Sequence, residues 1–331
     1  MKPFTYVRVK TVHEAIYERA KSPEARYIGG GTNLLDLMKM GVETPTHLID
    51  INALPLAKIE ELDGGVRIGA LVSNTDAANH PLIRERYPVL SEAIVAGASQ
   101  QLRNMATIGG NLLQRTRCYY FYDPSFTQCN KRQPGTGCAA QSGISRIHAI
   151  LGESAECIAT NPSDMSVALS ALDATVQVTG EHGNRSIPIH EFHRLPGRNP
   201  EADNTLRPGE LITSVDLPAI SYAKRSHYLK VRDRASYAFA LVSVAAIIDL
   251  DEKATIREAR IALGGVAHKP WRANKAEKAL LGHEMKPERL RMAAEQELKA
   301  ARPQRDNAFK IELAKRTMIR ALMTAAKQEA A

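Results

Sequence analysis

Residues 27–39, YIGGGTNLLDLMK, set three successive glycines between a β-like run and a helix-like one. With no Cβ at Gly29, Gly30 and Gly31, the backbone can approach a ligand closely, and consecutive N–H groups can turn toward one anion. Asn33 opens the helical stretch that follows, so the positive end of that helix faces the same place. Physically this is a pyrophosphate cradle; the competing reading is a tight strand-to-helix turn that binds nothing. Leu34 stands where a third glycine would complete G-x-G-x-x-G, and there is no Gly-Lys-Ser/Thr ending of a Walker loop. A Rossmann-type nicotinamide site is therefore disfavoured.

Outward from this loop, β-like and helical segments alternate. Residues 4–9 read as a strand, 12–20 as a helix, 25–28 as a strand, 33–40 as a helix stopped by Gly41, and 47–52 as a strand. Residues 56–72 read as a hairpin turning at Gly64-Gly65. Helical stretches near Thr75 and Val89 lead to a second glycine loop, ATIGGNLL (106–113), in which Thr107 and Asn111 offer side-chain donors. From residue 157 the alternation returns with a β-like CIAT. A helix over 163–172 follows, capped by Ser163 and beginning Asp164-Met165, then strands near 175–179 and 211–217. A boundary is expected at 218–226, before a hairpin-like pair, ALVSVAAIIDL and REARIALGGVA, and terminal helices.

At 331 residues, with 44% hydrophobic and 24% charged residues, the chain reads as globular, with two or three domains. Its opening residues lack the apolar core of a signal peptide, and no apolar run is long enough to span a membrane. The net charge of +8 lies largely on the terminal helices without interleaved aromatics. That pattern fits a solvated face or an acidic partner and not nucleic acid.

Three of the four cysteines fall in TRCYYFYDPSFTQCNKRQPGTGC (116–138), a segment without periodicity, and the fourth is Cys157. Four is too few for a disulfide scaffold. Cys118, Cys129, Cys138 and Cys157 match the ligand count of an iron–sulfur cluster, Gly135 and Gly137 let the backbone wrap it, and Lys131 and Arg132 can offset thiolate charge. Their intervals of 11, 9 and 19 residues match no compact ferredoxin run and no C-x-x-C zinc pair. The residues alone leave cluster, zinc and unligated thiols open.

GGGTN near residue 30, TIGGNL near 110, PSDM near 163 and YLKVRDRASYAFALVSVA after 227 resemble, in that order, the FAD-binding medium subunits of molybdenum hydroxylases, the xanthine dehydrogenase and carbon monoxide dehydrogenase family. The resemblance covers essentially the whole chain. It implies an α+β architecture: a vanillyl-alcohol-oxidase-type FAD-binding fold in two lobes (1–55 and 56–220), then a domain over 221–331 of a small antiparallel sheet with helices. It further implies that Tyr27, Ile28, Gly29, Gly30, Gly31, Thr32, Asn33 and Leu34, with Thr107, Ile108, Gly109, Gly110 and Asn111, hold FAD. Asp164 would meet its polar part, Ile212 would pack near the isoalloxazine, and Lys230 would reach the cofactor. Family members often carry Asp shortly after the Arg of the last motif, where this chain has Tyr237, which puts any role of that carboxylate in doubt.

RTRC, CNKR, PGTGC and ECIAT narrow the resemblance to the FAD subunits of bacterial periplasmic aromatic aldehyde oxidoreductases. There an insertion, here about 115–148, carries a 4Fe-4S cluster, which would assign Cys118, Cys129, Cys138 and Cys157 as its ligands and leave His148 unneeded. The implied function is electron transfer: aldehyde oxidised at a molybdenum cofactor in a large subunit, electrons passing through 2Fe-2S clusters of a small subunit to this FAD. No catalytic acid or base is expected here. The implied assembly is a heterotrimer without membrane insertion, periplasmic by export beside a partner with a twin-arginine signal, or else cytoplasmic. An NAD-reducing subunit and a self-contained flavin oxidase are the alternatives. The aromatics Tyr119, Tyr120, Phe121 and Tyr122 are expected to cover the cluster or anchor an interface.

Overall fold

A parallel three-stranded sheet forms the first lobe of the computed structural model, which describes residues 1–328. Its strands are β1 (Thr5–Arg8), β2 (Arg26–Ile28) and β3 (His47–Asp50), in the order β1-β3-β2. Parallel neighbours require crossovers, supplied by α1 (Val12–Ala20) and α2 (Leu34–Lys39). α1 begins at a capping box in which Thr11 Oγ1 accepts from Glu14 N and the Glu14 carboxylate accepts from Thr11 N.

The second lobe is an antiparallel sheet in the order β4-β5-β8-β6-β7. Its strands are β4 (Ile59–Leu62), β5 (Gly65–Gly69), β6 (Thr175–Gly180), β7 (Gly183–Pro188) and β8 (Leu211–Leu217). The first hairpin turns at Asp63-Gly64, both at positive φ, one residue earlier than expected. Gly65 instead joins the ladder, where a Cβ would lie 2.1 Å from the Leu217 carbonyl oxygen. Short helices α3 (Asn74–Asn79), α4 (Pro81–Arg86), α5 (Pro88–Ala96), α6 (Gln100–Met105) and α7 (Ile108–Leu112) follow β5, and the ATIGGNLL stretch is thus helical and not a loop. α8 (Tyr119–Tyr122) lies in the cysteine-bearing segment, and α9 (Asp164–Ala171) and α10 (Ile189–Phe192) complete the lobe. Residues 157–160 form no strand; Ile158 O accepts from Ala149 N, but no ladder develops around that bond.

The last part is an antiparallel sheet in the order β12-β11-β10-β9. It comprises β9 (Ser226–Val231), β10 (Val242–Leu250), β11 (Ile256–Gly264) and β12 (Trp271–Arg272). Ala245, Ile247 and Ala262 share a core with Leu90, Val167 and the lobe-two sheet. Val244, Ala246 and Ile248 face the other way, onto α11 (Asn274–Leu280), α12 (Pro287–Leu298) and α13 (Phe309–Ala325). A sheet covered on both faces explains why VSVAAII shows no polar alternation. Ile150 and Leu151, from far upstream, enter this second core, with Ile150 N donating to Val266 O at 2.9 Å. Lys310 of α13, fully buried, donates to His148 O at 2.8 Å. Two α+β lobes and a small antiparallel sheet with helices match the expected fold class. Among the described residues no helix is long and apolar enough to cross a membrane.

Candidate functional site

The two glycine segments stand against each other. β2 delivers the chain to Gly29–Gly31, pinned upstream by Tyr27, whose hydroxyl donates to Gly209 O at 2.9 Å. Gly31 takes φ +70°, and a Cβ on Gly30 would sit 1.7 Å from the Met105 carbonyl oxygen. The glycines therefore admit the second segment's backbone before they admit any ligand. Among the described residues, the N–H groups of Gly29, Gly30, Gly31, Thr32 and Asn33 donate to nothing within the chain. Five successive unpartnered donors on a half-exposed loop are a set that phosphate oxygens satisfy. The second segment differs, because its amides are engaged. Ile108 N donates to Val72 O, Gly109 N to Ala70 O, Gly110 N to Thr107 Oγ1 and Asn111 N to Thr107 O. What it presents is the exposed backbone of Gly110 and the side chain of Asn111, whose Oδ1 accepts from Ser163 Oγ at 2.8 Å.

Ser163 caps α9 by accepting from Ser166 N. Asp164, in its first turn, is already partnered: Lys230 Nζ lies 2.8 Å from Oδ2, and the Tyr228 hydroxyl donates to Oδ1 at 2.6 Å. Burial and the Asp164 carboxylate push the Tyr228 hydroxyl well above its usual range, so it stays a donor. The Lys230 ammonium, expected to reach a cofactor, donates to Asp164 and to the Ala96 carbonyl. Ile212 is buried in the lobe-two core opposite Val178.

Cys118, Cys129, Cys138 and Cys157 line one pocket with Tyr120, Phe121 and Lys131. Cys129 and Cys138 pair across a short antiparallel bridge, with Gly135 and Gly137 at positive φ turning the chain between them. Burial pushes the Cys118 thiol up to about 12 and the Cys157 thiol up to about 11, so these sulfurs keep their protons until a cation displaces them. Among the described residues no three His, Cys, Asp or Glu side chains converge as ligands of one ion. Within the aromatic run, Tyr120 and Phe121 are buried and Tyr119 is exposed.

Lys131 is buried here, donating to Asp203 Oδ1 at 2.5 Å and Pro200 O at 2.6 Å. Burial would raise Asp203, but Lys131 and Arg115 hold it below the usual carboxylate range. Arg132, expected beside thiolates, instead donates to the carbonyls of Tyr120, Phe121 and Phe126 and braces the segment. His148, which sequence reasoning set aside, places Nε2 3.1 Å from Cys118 Sγ, and burial holds its ring neutral with a pKa of about 4. Thirty residues of irregular chain separate the two, so no spacing announces the contact.

The cysteine segment also grips the first glycine loop. Asn33 Nδ2 donates to the Tyr122 hydroxyl at 3.0 Å, and Arg115 N donates to Asn33 Oδ1 at 2.9 Å. Arg117 donates to the same hydroxyl at 2.5 Å and lies over the Phe239 ring at 4.9 Å. Nearby, Tyr237 occupies φ +50° with its carbonyl accepting from Arg234, so the position without the family's Asp is a backbone corner.

The family model described as the FAD binding domain in molybdopterin dehydrogenase matches residues 2–220, and that of the CO dehydrogenase flavoprotein C-terminal domain matches residues 227–325. The chain is 54% identical to the aldehyde oxidoreductase FAD-binding subunit PaoB of Escherichia coli (strain K12), over 99% of this chain and 100% of that one. It is 27% identical to the glyceraldehyde dehydrogenase medium chain of Sulfolobus acidocaldarius, over 85% and 82%. Among solved structures, carbon monoxide dehydrogenase from Hydrogenophaga pseudoflava superposes with a TM-score of 0.76 at 27% identity, over 98% of this chain and 97% of that one. With family models over both parts and a relative 54% identical across the full length, the chain belongs to the FAD-binding medium subunits of the molybdenum hydroxylase family.

Proposed function

We propose that this protein is the electron-transfer FAD subunit of a molybdenum-dependent aldehyde oxidoreductase, assembled with a large molybdopterin-binding subunit and a small 2Fe-2S subunit. The observation that carries the reading is the row of unpartnered N–H groups from Gly29 to Asn33, closed from the other side by Met105–Thr107. Those groups would hold the FAD pyrophosphate, and Asn111 would donate to the ribityl chain. When bound, FAD supplies the two-electron and one-electron redox chemistry. The chain's own residues bind and orient it: Gly30 lets the loops close, Tyr27 fixes the strand that feeds the cradle, and the Asp164–Lys230 pair keeps α9 and β9 together behind it. The 54% identity to an aldehyde oxidoreductase subunit supports the substrate class, and the medium-chain relatives support the trimer.

The second part of the reading is a 4Fe-4S cluster on Cys118, Cys129, Cys138 and Cys157. Its support is that thiols so scattered in sequence share one buried pocket beside a buried lysine. Four cysteines equal the ligand count of such a cluster. Location in the periplasm, reached beside a partner that carries the export signal, completes the proposal.

The test is co-expression with both partner subunits. An aromatic aldehyde should bleach the flavin absorbance of the trimer and leave that of the isolated chain unchanged, and anaerobic preparations should hold about four irons per chain. Flavin reduction by aldehyde in the isolated chain would overturn the electron-transfer assignment, and zinc in place of iron would overturn the cluster. Cell fractionation with and without the partner's signal checks the compartment.

A further inference from the structure

We infer that occupancy of the cysteine pocket and FAD binding at the first glycine loop are thermodynamically coupled, with Tyr122 as the positioning residue between them. The inference rests on the FAD and cluster readings above. α8 is a single turn that starts on one thiol and ends at Tyr122: Cys118 O accepts from Phe121 N and from Tyr122 N, both at 3.1 Å. A movement of Cys118 toward a ligand is therefore passed to Tyr122 through one hydrogen-bonded turn. At the other end, the insertion holds both atoms of the Asn33 carboxamide, Nδ2 through the Tyr122 hydroxyl and Oδ1 through Arg115 N. The backbone N–H of the same Asn33 is one of the five unpartnered donors. Leu37, on the helix that Asn33 opens, packs directly among Cys118, Phe121 and Cys157. Two independent contacts, one polar and one apolar, thus join pocket and cradle.

Coupling of this kind is a ratio of affinities. The experiment measures the FAD dissociation constant by flavin fluorescence in four samples. They are the wild-type chain and Tyr122→Phe, each as prepared anaerobically and after the iron is stripped with a chelator, with iron counted and circular dichroism recorded throughout. The loaded wild type should bind FAD about 10-fold more tightly than the stripped form. Tyr122→Phe should keep its iron and bring that ratio close to 1. A ratio near 1 in the wild type, with iron bound, overturns the coupling alone. A Tyr122→Phe variant that weakens FAD equally in both forms overturns the role of the tyrosine, because a merely structural defect leaves the ratio intact. Wild type without iron overturns the cluster and the coupling with it. Should Tyr122→Phe fail to fold, Arg117→Met, which removes the other donor to that hydroxyl, must lower the same ratio, and an unchanged ratio overturns the proposal.

Discussion

Gly30 serves the proposed cradle through the side chain it lacks as well as through its free N–H. Its missing Cβ admits the Met105 carbonyl oxygen, so the constraint is backbone against backbone and cannot relax by a rotamer change. Gly30→Ala should separate the two loops at a cost of about 1–3 kcal/mol and weaken FAD together with stability. Equilibrium urea denaturation and flavin absorbance read the two losses, which should appear in the same variant. Gly110 is the contrast: it is exposed, and an added Cβ would meet only Thr107 Oγ1 at 3.0 Å. Both glycine runs are visible in the sequence, since a run of missing side chains shows in one dimension. Which run keeps its amides free is not, because that depends on carbonyls of Ala70 and Val72 brought from another strand end.

At the scale of elements, the stitch between α9 and β9 is the Asp164–Lys230 pair, whose side chains are 7% and 4% exposed. Lys230→Met leaves a buried carboxylate with only the Tyr228 hydroxyl and should cost about 3–5 kcal/mol. Lys230→Met combined with Asp164→Asn should recover a large part of that loss in the same denaturation measurement. α9, β8 and the β10–β11 pair were legible because long apolar runs and a Ser cap mark them. β7 was not: GNRSIP is an edge strand, mostly in solvent, and carries no apolar period. The cysteine segment has no period for a different reason. Its backbone is held by side chains, Arg132 and Asn130 among them, and not by a ladder. The grouping of its four cysteines was suggested by a family likeness and not by their spacing.

For the whole molecule, acid should be the weak direction. Burial holds His193 and His268 neutral, each with a pKa of about 4. An unfolded histidine titrates near 6.5, so between those values the unfolded chain binds protons that the folded one refuses. Stability is complete above about pH 6.5 and falls as pH drops toward about 4, by roughly 3 kcal/mol for each ring across the full window. Urea midpoints at pH 7, 6 and 5 should decline in that order, and His193→Gln should flatten the decline. The placement of Ile150 and Leu151 in the C-terminal core, and of Lys310 over His148 O, also orders events in time. Roughly 150 residues separate Cys157 from Lys310, and at about 5–20 residues per second the ribosome needs roughly 8–30 s to make them. Through that interval residues 148–151 are already made while the helix they pack against is not, so the C-terminal core closes only once α13 emerges.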